Sequence, residues 1–562
     1  MKKIISTLSL FLFLQLLIAQ TTTTNYWILL KDKKNSPYSI KAPDAFLSQK
    51  AIERRSRQNI AINESDLPVN PSYINAIKAT GVKIVSESKW FNGISVTTTD
   101  ASKIEIIRAL PFVKEIKTIT IINKPDHKFD MEQSSVLPPL KKADQVEKSS
   151  NIYNYGPSLK QATQIGANCL HNKGYQGQGM TIASLDDGFY KADSLPAFDS
   201  LRVNGQILGT HDFVDTSSVY LDVNDAHGMN TLSCIGGNIP GRIVGTAPKA
   251  LFWLFRTENV YSESWQEEIN WAVAAEFADS VGADIITSSL GYSIGMTNPA
   301  ENHTYPDMNG NTTIITKAAD MAVSKGIFVT VAAGNSAGPP WFKITAPGDA
   351  DSVLTVGAVD SMGFIANFSS RGPTFDGRIK PNTCARGVDA IVASVAGDVI
   401  GENGTSFSTP ITAGAVACLW QAHPAASVMQ LLYAIEASAD QFYLPDSVKG
   451  YGIPNFCAAD SILNYMGLGI VLHQLNDDQI LNVYPNPFTN NFEINFYSAK
   501  KQTVQIELVD VSGREIVKEE KAVNTNSTNL FRVSEIEKLS KGVYILRMTT
   551  PEKVYFKKIV KQ

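Results

Sequence analysis

The sequence predicts an α/β fold built on a parallel sheet with helices on both faces, with a small α+β module before it and a small all-β domain after it. Three observations support this order. In the middle of the chain, short apolar runs bounded by turn residues alternate with amphipathic helical segments. The preceding segment mixes strand and helix periodicities, and the segment 481–562 carries strand signals separated by glycine and asparagine. With 562 residues, the chain is long enough for several such domains.

The first residues have the layout of a secretory signal peptide. Lys2 and Lys3 precede an apolar run over 4–18, and Ala19 follows that run. A membrane anchor is the alternative interpretation, but the run is shorter than the roughly 20 apolar residues that a spanning helix needs. We therefore expect residues 1–19 to be a signal peptide and the mature protein to be exported.

Residues 20–125 are expected to form the small α+β module with an antiparallel sheet. Ile74 and Ile77 have the spacing of a helix face, and FVKEIKTITII has the composition of a final strand. Residues 126–151 are polar, contain two adjacent prolines and show no period. This segment is predicted to be an exposed linker that is open to proteolysis.

The central segment 152–465 is predicted to hold the parallel sheet. The runs MTIASL, DIITSSL, IFVTVAA and SVLTVGAV are apolar and bounded by turn residues, as buried parallel strands are. The segments beginning at Trp265 and spanning 314–324 have helical periodicity. A linker over 466–480 and a β-sandwich-like domain over 481–562, with strands such as FEINFYS and GVYILRMTT, complete the predicted organisation.

The composition is that of an ordinary globular protein, with 44% hydrophobic residues, 19% charged residues and a formal net charge of -4. A charge this small gives no electrostatic reason to expect nucleic acid or an anionic membrane as a partner. The five cysteines are widely spread and odd in number, which argues against a metal cluster and against a disulfide framework. One disulfide is compatible with them but is not assigned, and Cys418 is expected to be a buried small hydrophobe.

Two acid–base candidates stand at element boundaries. Asp186 ends the strand MTIASL, at the edge where parallel sheets place their sites, although Asp-Gly is also a common turn. His227 opens a small-residue helix beside Gly228, which permits close approach, although a lone histidine is more often structural. Together they offer the carboxylate and the imidazole that activate a nucleophile.

A candidate nucleophile and an amide donor follow later in the chain. Asn335 follows Gly334 at the end of the run IFVTVAA, and it is either a turn residue or a hydrogen-bond donor. Ser406 follows Gly404 and Thr405 at the start of a small-residue helix, and we expect Pro410 in the first turn of that helix. The helix dipole and free N–H groups favour an anionic intermediate there, although serine is also an ordinary N-cap.

Taken together, the four stretches resemble the active-site signatures of the subtilisin-like serine peptidases. They follow the chain order Asp, His, Ser, which is that of subtilisin and differs from the orders of chymotrypsin and the α/β-hydrolases. The resemblance extends over most of 155–465 and includes GTAPKALFWLFR, SSLGYS and FSSRGPTFDGRIKP. It implies a subtilisin-like fold and the hydrolysis of peptide bonds in proteins through an acyl-enzyme.

The resemblance also implies roles for individual residues. Ser406 would be the nucleophile, His227 the general base and then acid, and Asp186 the group that orients His227. Asn335 would donate to the oxyanion together with the Ser406 backbone N–H. Two segments would bind the substrate backbone as an added strand: Ser289, Leu290 and Gly291 in the first, and Ala333 and Gly334 in the second.

Several positions depart from the family pattern. Asp187 stands where serine or threonine is usual and adds a second carboxylate beside Asp186. Met229 and Asn230 replace the usual residues after the glycine that follows the histidine, and Phe407 replaces the methionine that usually follows the serine. No departure removes a catalytic atom.

The flanking segments resemble further parts of secreted peptidases. Residues 20–125 resemble the inhibitory propeptide of the family, which implies an intramolecular inhibitor; an unrelated N-terminal domain is the alternative. In 481–562, VYPNPF, VDVSGREI and LSKGVYILRM resemble the C-terminal sorting domain of the type IX secretion system of Bacteroidetes-type bacteria, with a plain carbohydrate- or protein-binding β-module as the alternative. The resemblance implies the type IX machinery as a partner and passage through the periplasm and outer membrane to the cell surface or the medium.

Three rival functions stay open on the sequence: an inactive binding module that keeps the fold, a peptide ligase that uses the same acyl-enzyme, and a surface adhesin led by the C-terminal domain. The expected chemistry requires no cofactor, and the expected substrates are proteins or peptides, without nucleic acid. Calcium is common in the family, but the sequence contains no EF-hand-like loop, and no metal ligand is assigned.

Overall fold

The computed structural model describes residues 22–122, 151–215, 217–222, 226–467, 479–484, 486–498, 500–523, 527–534 and 536–562. The expected signal peptide and most of both expected linkers lie outside the described residues. The chain divides into two compact units, Met1–Leu463 and Asn464–Gln562, and each is described by itself. No helix in the described ranges is long and apolar enough to cross a membrane.

The N-terminal module has a four-stranded antiparallel sheet of order β2-β3-β1-β4. Its elements are β1 (Thr22–Leu30), α1 (Gln49–Arg57), α2 (Pro71–Lys78), β2 (Lys83–Ser88), β3 (Gly93–Thr97), α3 (Ala101–Arg108) and β4 (Val113–Ile122). Ile77 of α2 and Ile104 and Ile107 of α3 pack into the core of this module. The predicted α+β module is confirmed, but α1 was not predicted from the sequence.

The central part of the first unit is built on a seven-stranded sheet of order β13-β12-β11-β10-β5-β9-β6. The strands of the seven-stranded sheet are β5 (Thr181–Asp186), β6 (Ile207–Asp212), β9 (Leu251–Arg256), β10 (Ile285–Ser288), β11 (Phe328–Ala332), β12 (Leu354–Val359) and β13 (Thr383–Arg386). Separate antiparallel pairs are formed by β7 (Asn238–Ile239) with β8 (Ile243–Val244) and by β14 (Ala390–Ala393) with β15 (Val399–Glu402). Its helices are α4 (Leu159–Gln164), α5 (Ala167–Asn172), α6 (Asp199–Val203), α7 (His227–Gly236), α8 (Trp265–Val281), α9 (Ile314–Ser324), α10 (Thr405–Ala422), α11 (Val428–Ala437) and α12 (Phe456–Gly467).

All neighbouring strands of this sheet run parallel. The four runs that the sequence marks as buried strands are β5, β10, β11 and β12, and every residue in them is buried. Complete burial requires cover on both faces, and helices supply it, with α7 packed against α10 and α8 against α9. The predicted fold class is confirmed, and the carboxyl ends of β5, β10 and β11 meet at one edge, where such sheets place their sites.

The N-terminal module docks on α8 and α9. Trp27 and Ile119 of its sheet form an apolar cluster with Ile269 of α8. Next to that cluster, the Gln266 side-chain oxygen accepts hydrogen bonds from Asn25 at 2.9 Å and from Ser95 at 2.6 Å. The contact therefore combines a small apolar centre with buried polar pairs.

A buried ionic cluster extends the same interface. The Asp279 carboxylate of α8 accepts hydrogen bonds from Arg54 at 2.5 Å, from Arg55 at 2.7 Å and from Lys89 at 3.3 Å. Asp279, Arg54 and Arg55 are fully buried. Arg54 and Arg55 belong to α1, so this helix faces the interface with charged side chains.

One disulfide joins Cys169 of α5 to Cys457 of α12 across 288 residues of sequence. The three other cysteines, Cys234, Cys384 and Cys418, are free and buried. The structure thus assigns the single pair that the sequence left open, and it confirms the expected burial of Cys418.

The second unit contains two antiparallel sheets, of order β16-β17-β20 and β19-β18-β21-β22. Their strands are β16 (Gln479–Tyr484), β17 (Phe492–Ser498), β18 (Gln502–Asp510), β19 (Glu515–Val523), β20 (Ser527–Val533), β21 (Gly542–Thr549) and β22 (Val554–Lys561). Phe492 and Ile494 of the first sheet share one apolar core with Ile506 and Leu546 of the second. This is the predicted small all-β domain.

Candidate active site

Asp186 and His227 form a buried pair at the carboxyl edge of the central sheet. Asp186 is the last residue of β5, and His227 is the first residue of α7. The Asp186 Oδ1 atom lies 2.5 Å from His227 Nδ1, and Asp186 Oδ2 accepts a hydrogen bond from the Thr231 hydroxyl at 2.9 Å. Asp186 is 1% exposed and His227 is 3% exposed. Both carboxylate oxygens are therefore held, and one of them fixes the imidazole.

Thr231 was missed by the sequence analysis, although its spacing offered a signal. It lies four residues after His227 on α7, so both side chains emerge on the same face of the helix. A threonine at that position can reach the carboxylate that the histidine contacts.

Asp187 holds the start of the helix that carries His227. Its Oδ1 atom accepts a hydrogen bond from the Gly228 N–H at 2.9 Å, and its Oδ2 atom lies 3.4 Å from the His227 N–H donor nitrogen. These first N–H groups of a helix have no partner within the helix, and a negative charge beside them is favourable. A Cβ atom at Gly228 would lie 2.1 Å from the Gly188 carbonyl oxygen, so a larger residue would push α7 away from β5.

The charges around His227 favour its protonated form. Burial alone would lower the pKa of the imidazole, but the adjoining Asp186 carboxylate, with smaller contributions from Asp187 and Glu258, raises that pKa to about 9. Glu402 is a further acidic neighbour, and burial raises its own pKa to about 7. The site is therefore built to stabilise an imidazolium ion.

Ser406 lies in the first turn of α10 and is 8% exposed. Gly404 precedes the helix with a φ of +153°, a value that favours glycine. The Ser406 Oγ atom lies 3.5 Å from the Ser289 carbonyl oxygen, and the Ser289 hydroxyl donates a hydrogen bond of 2.8 Å to the Ser406 carbonyl oxygen. The serine is thus joined to the segment that follows β10.

The expectation that Pro410 lies in the first turn of α10 is wrong. The helix begins at Thr405, which places Pro410 inside it. Because proline has no N–H, it cannot donate to the carbonyl of Ser406 four residues earlier. The Ser289 hydroxyl takes the place of that missing donor.

Asn335 is held by its side-chain oxygen. The Asn335 Oδ1 atom accepts hydrogen bonds of 2.9 Å from both the backbone N–H and the hydroxyl of Thr405. Because the oxygen is occupied in this way, the Nδ2 group of the amide is the part that remains to donate. The side chain is therefore oriented by the residue that precedes Ser406.

A cleft of about 290 Å³ brings most of the predicted site residues together. Its lining includes the following predicted residues: His227, Ser289, Leu290, Gly291, Gly334, Asn335 and Ser406. Asp186 is buried on the far side of His227, and Ala333 lies outside the lining, where its N–H donates to the Val356 carbonyl at 3.0 Å. Thr345 and Glu263 also line the cleft, and neither residue was predicted from the sequence.

Among the residues that the structure describes, two groups of side chains have ligand atoms close enough to hold a metal ion, in each case within 4.8 Å of one another. The first group is Asp186, Asp187 and His227, which already bind one another or the start of α7. The second group consists of Glu258, Glu263 and Glu267.

Comparison with known protein families gives three matches along the chain. Residues 25–134 match the Peptidase S8 propeptide domain of Bacteroidota, residues 177–456 match the Subtilase family, and residues 482–562 match the Secretion system C-terminal sorting domain. The family match in the centre covers the segments that supply Asp186, His227, Asn335 and Ser406.

Individual relatives agree with the family match. The chain is 30% identical over 305 residues to Subtilisin of Bacillus pumilus, covering 53% of this chain and 96% of that protein. It is 29% identical over 323 residues to Subtilisin E of Bacillus subtilis (strain 168), covering 56% and 74%. A solved structure, that of MycP1 with the N-terminal propeptide removed, is similar at 25% identity and a TM-score of 0.43, covering 54% of this chain and 96% of that one.

The parallel sheet, the cleft at its carboxyl edge, the family match and the two subtilisins define a serine peptidase, and the chain belongs to the subtilase family. In particular, it is a serine-type endopeptidase that carries a propeptide in front of the peptidase domain and a C-terminal sorting domain behind it. The sorting domain marks it for export, to the medium or to the cell surface.

Proposed function

We propose that Ser406, His227 and Asp186 act as a catalytic triad that hydrolyses peptide bonds in proteins through an acyl-enzyme. The observation that carries the proposal is the 2.5 Å contact between Asp186 and His227 beside a cleft that His227 shares with Ser406. This is the arrangement that a serine nucleophile needs, a base within one cleft and a carboxylate that fixes the base.

The proton transfers follow from the way His227 is held. Because Nδ1 is committed to Asp186, the ring accepts the Ser406 proton through Nε2 as the hydroxyl attacks the carbonyl carbon. Asp186 stabilises the imidazolium that forms, in keeping with the raised pKa of His227. The same imidazolium then gives its proton to the departing amine, and water releases the acyl group by the reverse sequence.

Asn335 and the start of α10 supply the oxyanion donors in this proposal. The Asn335 Nδ2 group is free to donate because its Oδ1 atom is held by Thr405. The Ser406 N–H lies in the first turn of α10, where helix N–H groups have no partner within the helix. Both are fixed before the reaction, so they stabilise the charge that develops in the transition state without reorganising.

Ser289, Leu290 and Gly291 are proposed to hold the substrate backbone as an added strand. They directly follow β10 and line the cleft beside Ser406. The Ser289–Ser406 hydrogen bond keeps this segment next to the nucleophile. Bound peptide would therefore lie with its scissile carbonyl close to the serine hydroxyl.

Serine-directed labelling tests the nucleophile. Purified Ser406→Ala should keep the thermal stability of the wild type but lose both labelling by a fluorophosphonate and cleavage of a denatured protein substrate. Retained labelling would refute the assignment of Ser406. Mass spectrometry of the wild-type products, with and without an added amine, separates hydrolysis from ligation, since a ligase would transfer the acyl group to the amine.

The adjacent carboxylates offer a matched pair of variants for the base-orienting residue. Asp186→Asn should lower kcat by about four orders of magnitude, because an amide at this position holds the wrong imidazole tautomer. Asp187→Asn should cost far less, because an asparagine oxygen can still accept from the Gly228 N–H. The opposite ranking would move the triad carboxylate to Asp187.

A further inference from the structure

The carboxyl ends of β5, β9 and β6 lie side by side in the central sheet and meet next to Asp186. In the register of these strands, Arg256 at the end of β9 is paired with Asp186 on one side and with Asp212 on the other. The N–H of Thr257 donates to the Asp186 carbonyl oxygen at 2.9 Å. The end of β9 is therefore fixed directly against the carboxylate-bearing residue of the proposed triad.

Arg256 joins three residues through one buried side chain. Its Nε atom donates to the Asp187 carbonyl oxygen at 3.0 Å, and its Nη1 atom lies 3.0 Å from a carboxylate oxygen of Asp212 and 3.2 Å from one of Asp215. The Arg256 side chain is 5% exposed and that of Asp212 is 1% exposed. Because a guanidinium group is planar and its N–H groups point in fixed directions, these contacts set the relative orientation of the groups that it joins.

Asp212 anchors the outer side of this junction to the turn that follows β6. Its Oδ1 atom accepts a hydrogen bond from the Val214 N–H at 2.8 Å, and its Oδ2 atom accepts one from the Ser217 hydroxyl at 2.9 Å. The Phe213 N–H in turn donates to the Arg256 carbonyl oxygen at 2.9 Å. The guanidinium group is therefore held by a carboxylate that the fold has already fixed.

The inner side of the junction leads to His227 through Asp187. Asp187 is fully buried, and its backbone carbonyl is bound by Arg256. Its carboxylate accepts a hydrogen bond from the Gly228 N–H at 2.9 Å and lies 3.4 Å from the His227 backbone nitrogen. Arg256 thus holds the backbone of a residue whose side chain holds the first turn of α7. Any shift of Asp187 would move that turn, and the imidazole with it.

We propose that Arg256 is a positioning residue for His227 and acts through Asp187. By fixing the turn after β5, it keeps the first residue of α7 at the place where its imidazole meets Asp186 at 2.5 Å. Arg256 does not belong to the described residues that line the cleft, so this role requires no contact with the substrate. The inference rests on the proposed function, in which His227 is the base, and adds to it a residue outside the cleft.

A loss of this support should affect turnover rather than substrate binding. The proposed substrate segment 289–291 and Asn335 follow other strands, β10 and β11. The proton transfer between Ser406 and His227 requires the two side chains to come within about 2.6 to 3.2 Å of each other. A misplacement of about 1 Å costs up to about a hundredfold in rate. We therefore expect the effect of Arg256 in kcat and not in KM.

Kinetics of Arg256→Gln in the purified, active enzyme measures this contribution. The shorter glutamine side chain keeps a polar group but cannot bridge Asp187 and Asp212. We expect kcat for a peptide substrate to fall by about ten- to a hundredfold and KM to change by less than about twofold. The rate of labelling by a fluorophosphonate should fall by a similar factor, because labelling depends on the same base. Arg256→Lys keeps the charge without the fixed donor directions and should recover part of kcat.

Lys380→Met is the matched control for the loss of a buried cation. The Lys380 side chain is buried, and its Nζ atom donates to the Val353 carbonyl oxygen, the Thr355 hydroxyl oxygen and the Asn382 side-chain oxygen at 2.9 to 3.0 Å. These groups belong to β12 or lie next to β12 and β13, whereas Arg256 is on β9, at the opposite side of β5. Lys380→Met should lower the melting temperature but not kcat, which separates loss of stability from loss of positioning.

A double-mutant cycle tests the route through Asp187. Asp187→Ala removes the carboxylate that holds the start of α7, so the turn after β5 no longer transmits its position to His227. In that background, Arg256→Gln should lower kcat by less than about threefold, far less than in the wild type. If the two effects on kcat multiply in full, Arg256 acts by another route and the inference is wrong.

Thermal melting checks that each variant is folded. If Arg256→Gln does not fold, Asp212→Asn serves in its place, because it removes the counter-charge of the guanidinium group and should lower kcat in the same way by a smaller factor. An unchanged kcat, or a change confined to KM, in folded variants would overturn the inference. Cleavage that persists in Ser406→Ala would instead refute the proposed function, whereas loss of cleavage there leaves it intact whatever the result for Arg256.

Discussion

Asp279 lies at the centre of the buried ionic cluster between the peptidase domain and its propeptide. Replacing it with asparagine measures how much one buried charge contributes to the free energy of docking. Its carboxylate is the shared partner of Arg54, Arg55 and Lys89, all contributed by the N-terminal module. The pKa of Asp279 is affected first by burial, which would raise it, but these three cations lower it overall. Asparagine keeps the shape and one acceptor oxygen but leaves three buried cations without this counter-charge.

The expected magnitude follows from the burial of the group. Asp279 and Arg54 have fully buried side chains. Of the three cations, only Arg55 has a second carboxylate partner among the described residues, Asp66 at 2.8 Å. Removing one partner of such a buried pair costs about 3 to 5 kcal/mol. At about 1.4 kcal/mol for each factor of ten, the undocked population of the module should rise by about a hundred- to several-thousandfold.

Limited proteolysis of the full chain measures that population. The comparison is made in Ser406→Ala protein, so that the chain does not cut itself, with an added nonspecific protease such as thermolysin. When reclosing is faster than cleavage, the rate of cutting within the module follows the open fraction. Asp199→Asn provides the control, because Asp199 pairs with Arg202 at the surface with its side chain 65% exposed, and such pairs contribute less than about 1 kcal/mol.

An increase of less than about threefold for Asp279→Asn, with a normal response of the control, would refute this reasoning. It would mean that water or rearranged side chains compensate the three cations, and that the apolar centre of the interface alone holds the module.

Three further predictions follow from the geometry of the site and from the disulfide. Asn335→Ala should lower kcat by about a hundred- to a thousandfold with little change in KM, which is the usual cost of removing one oxyanion donor. A loss of thermal stability with kcat retained would show instead that Asn335 is only a turn residue. Because the pKa of His227 is raised, kcat/KM should fall as pH drops through an alkaline value, where the imidazole gains a proton. Asp187→Asn removes one of the charges that raise this pKa, so the midpoint of the fall should move to lower pH. An unchanged midpoint would exclude an influence of the Asp187 charge on His227. Replacing Cys169 and Cys457 by serine should destabilise the protein by about 5 kcal/mol in denaturant unfolding, and an unchanged midpoint would mean that the bridge carries no stabilisation.

The sequence predicted the buried elements better than the partly exposed ones. Strands β5, β10, β11 and β12 were found because both faces are covered, which makes their sequences continuously apolar. Strand β6 lies at the edge of the sheet, and its residues ILGTHD, only half covered, show neither a continuous apolar run nor a clear alternation. The sequence of helix α1 is typical of a solvent-exposed segment, because the residues that it buries at the interface include Arg54 and Arg55. Their partner Asp279 is distant in sequence, so the sequence does not indicate that these charges are buried.

The same distinction applies to the site. The sequence marked His227, Asn335 and Ser406 because each stands at an element boundary with recognisable neighbours, and the structure brings all three to one cleft. Glu263 and Thr345 have no such local signal. Their positions in the cleft depend on how the loops that carry them pack, and residue spacing along the chain does not predict that packing.

Pro410 leaves the backbone of the proposed nucleophile bound to the segment that is proposed to hold the substrate. Since the proline leaves the Ser406 carbonyl to the Ser289 hydroxyl, a peptide that pulls on the Ser289 segment also pulls on the backbone that carries Ser406. If Ser289 and Ser406 act as proposed, binding of a substrate is transmitted to the nucleophile through this hydrogen bond. In that case, substitutions that shift the segment 289–291 should change kcat as well as KM.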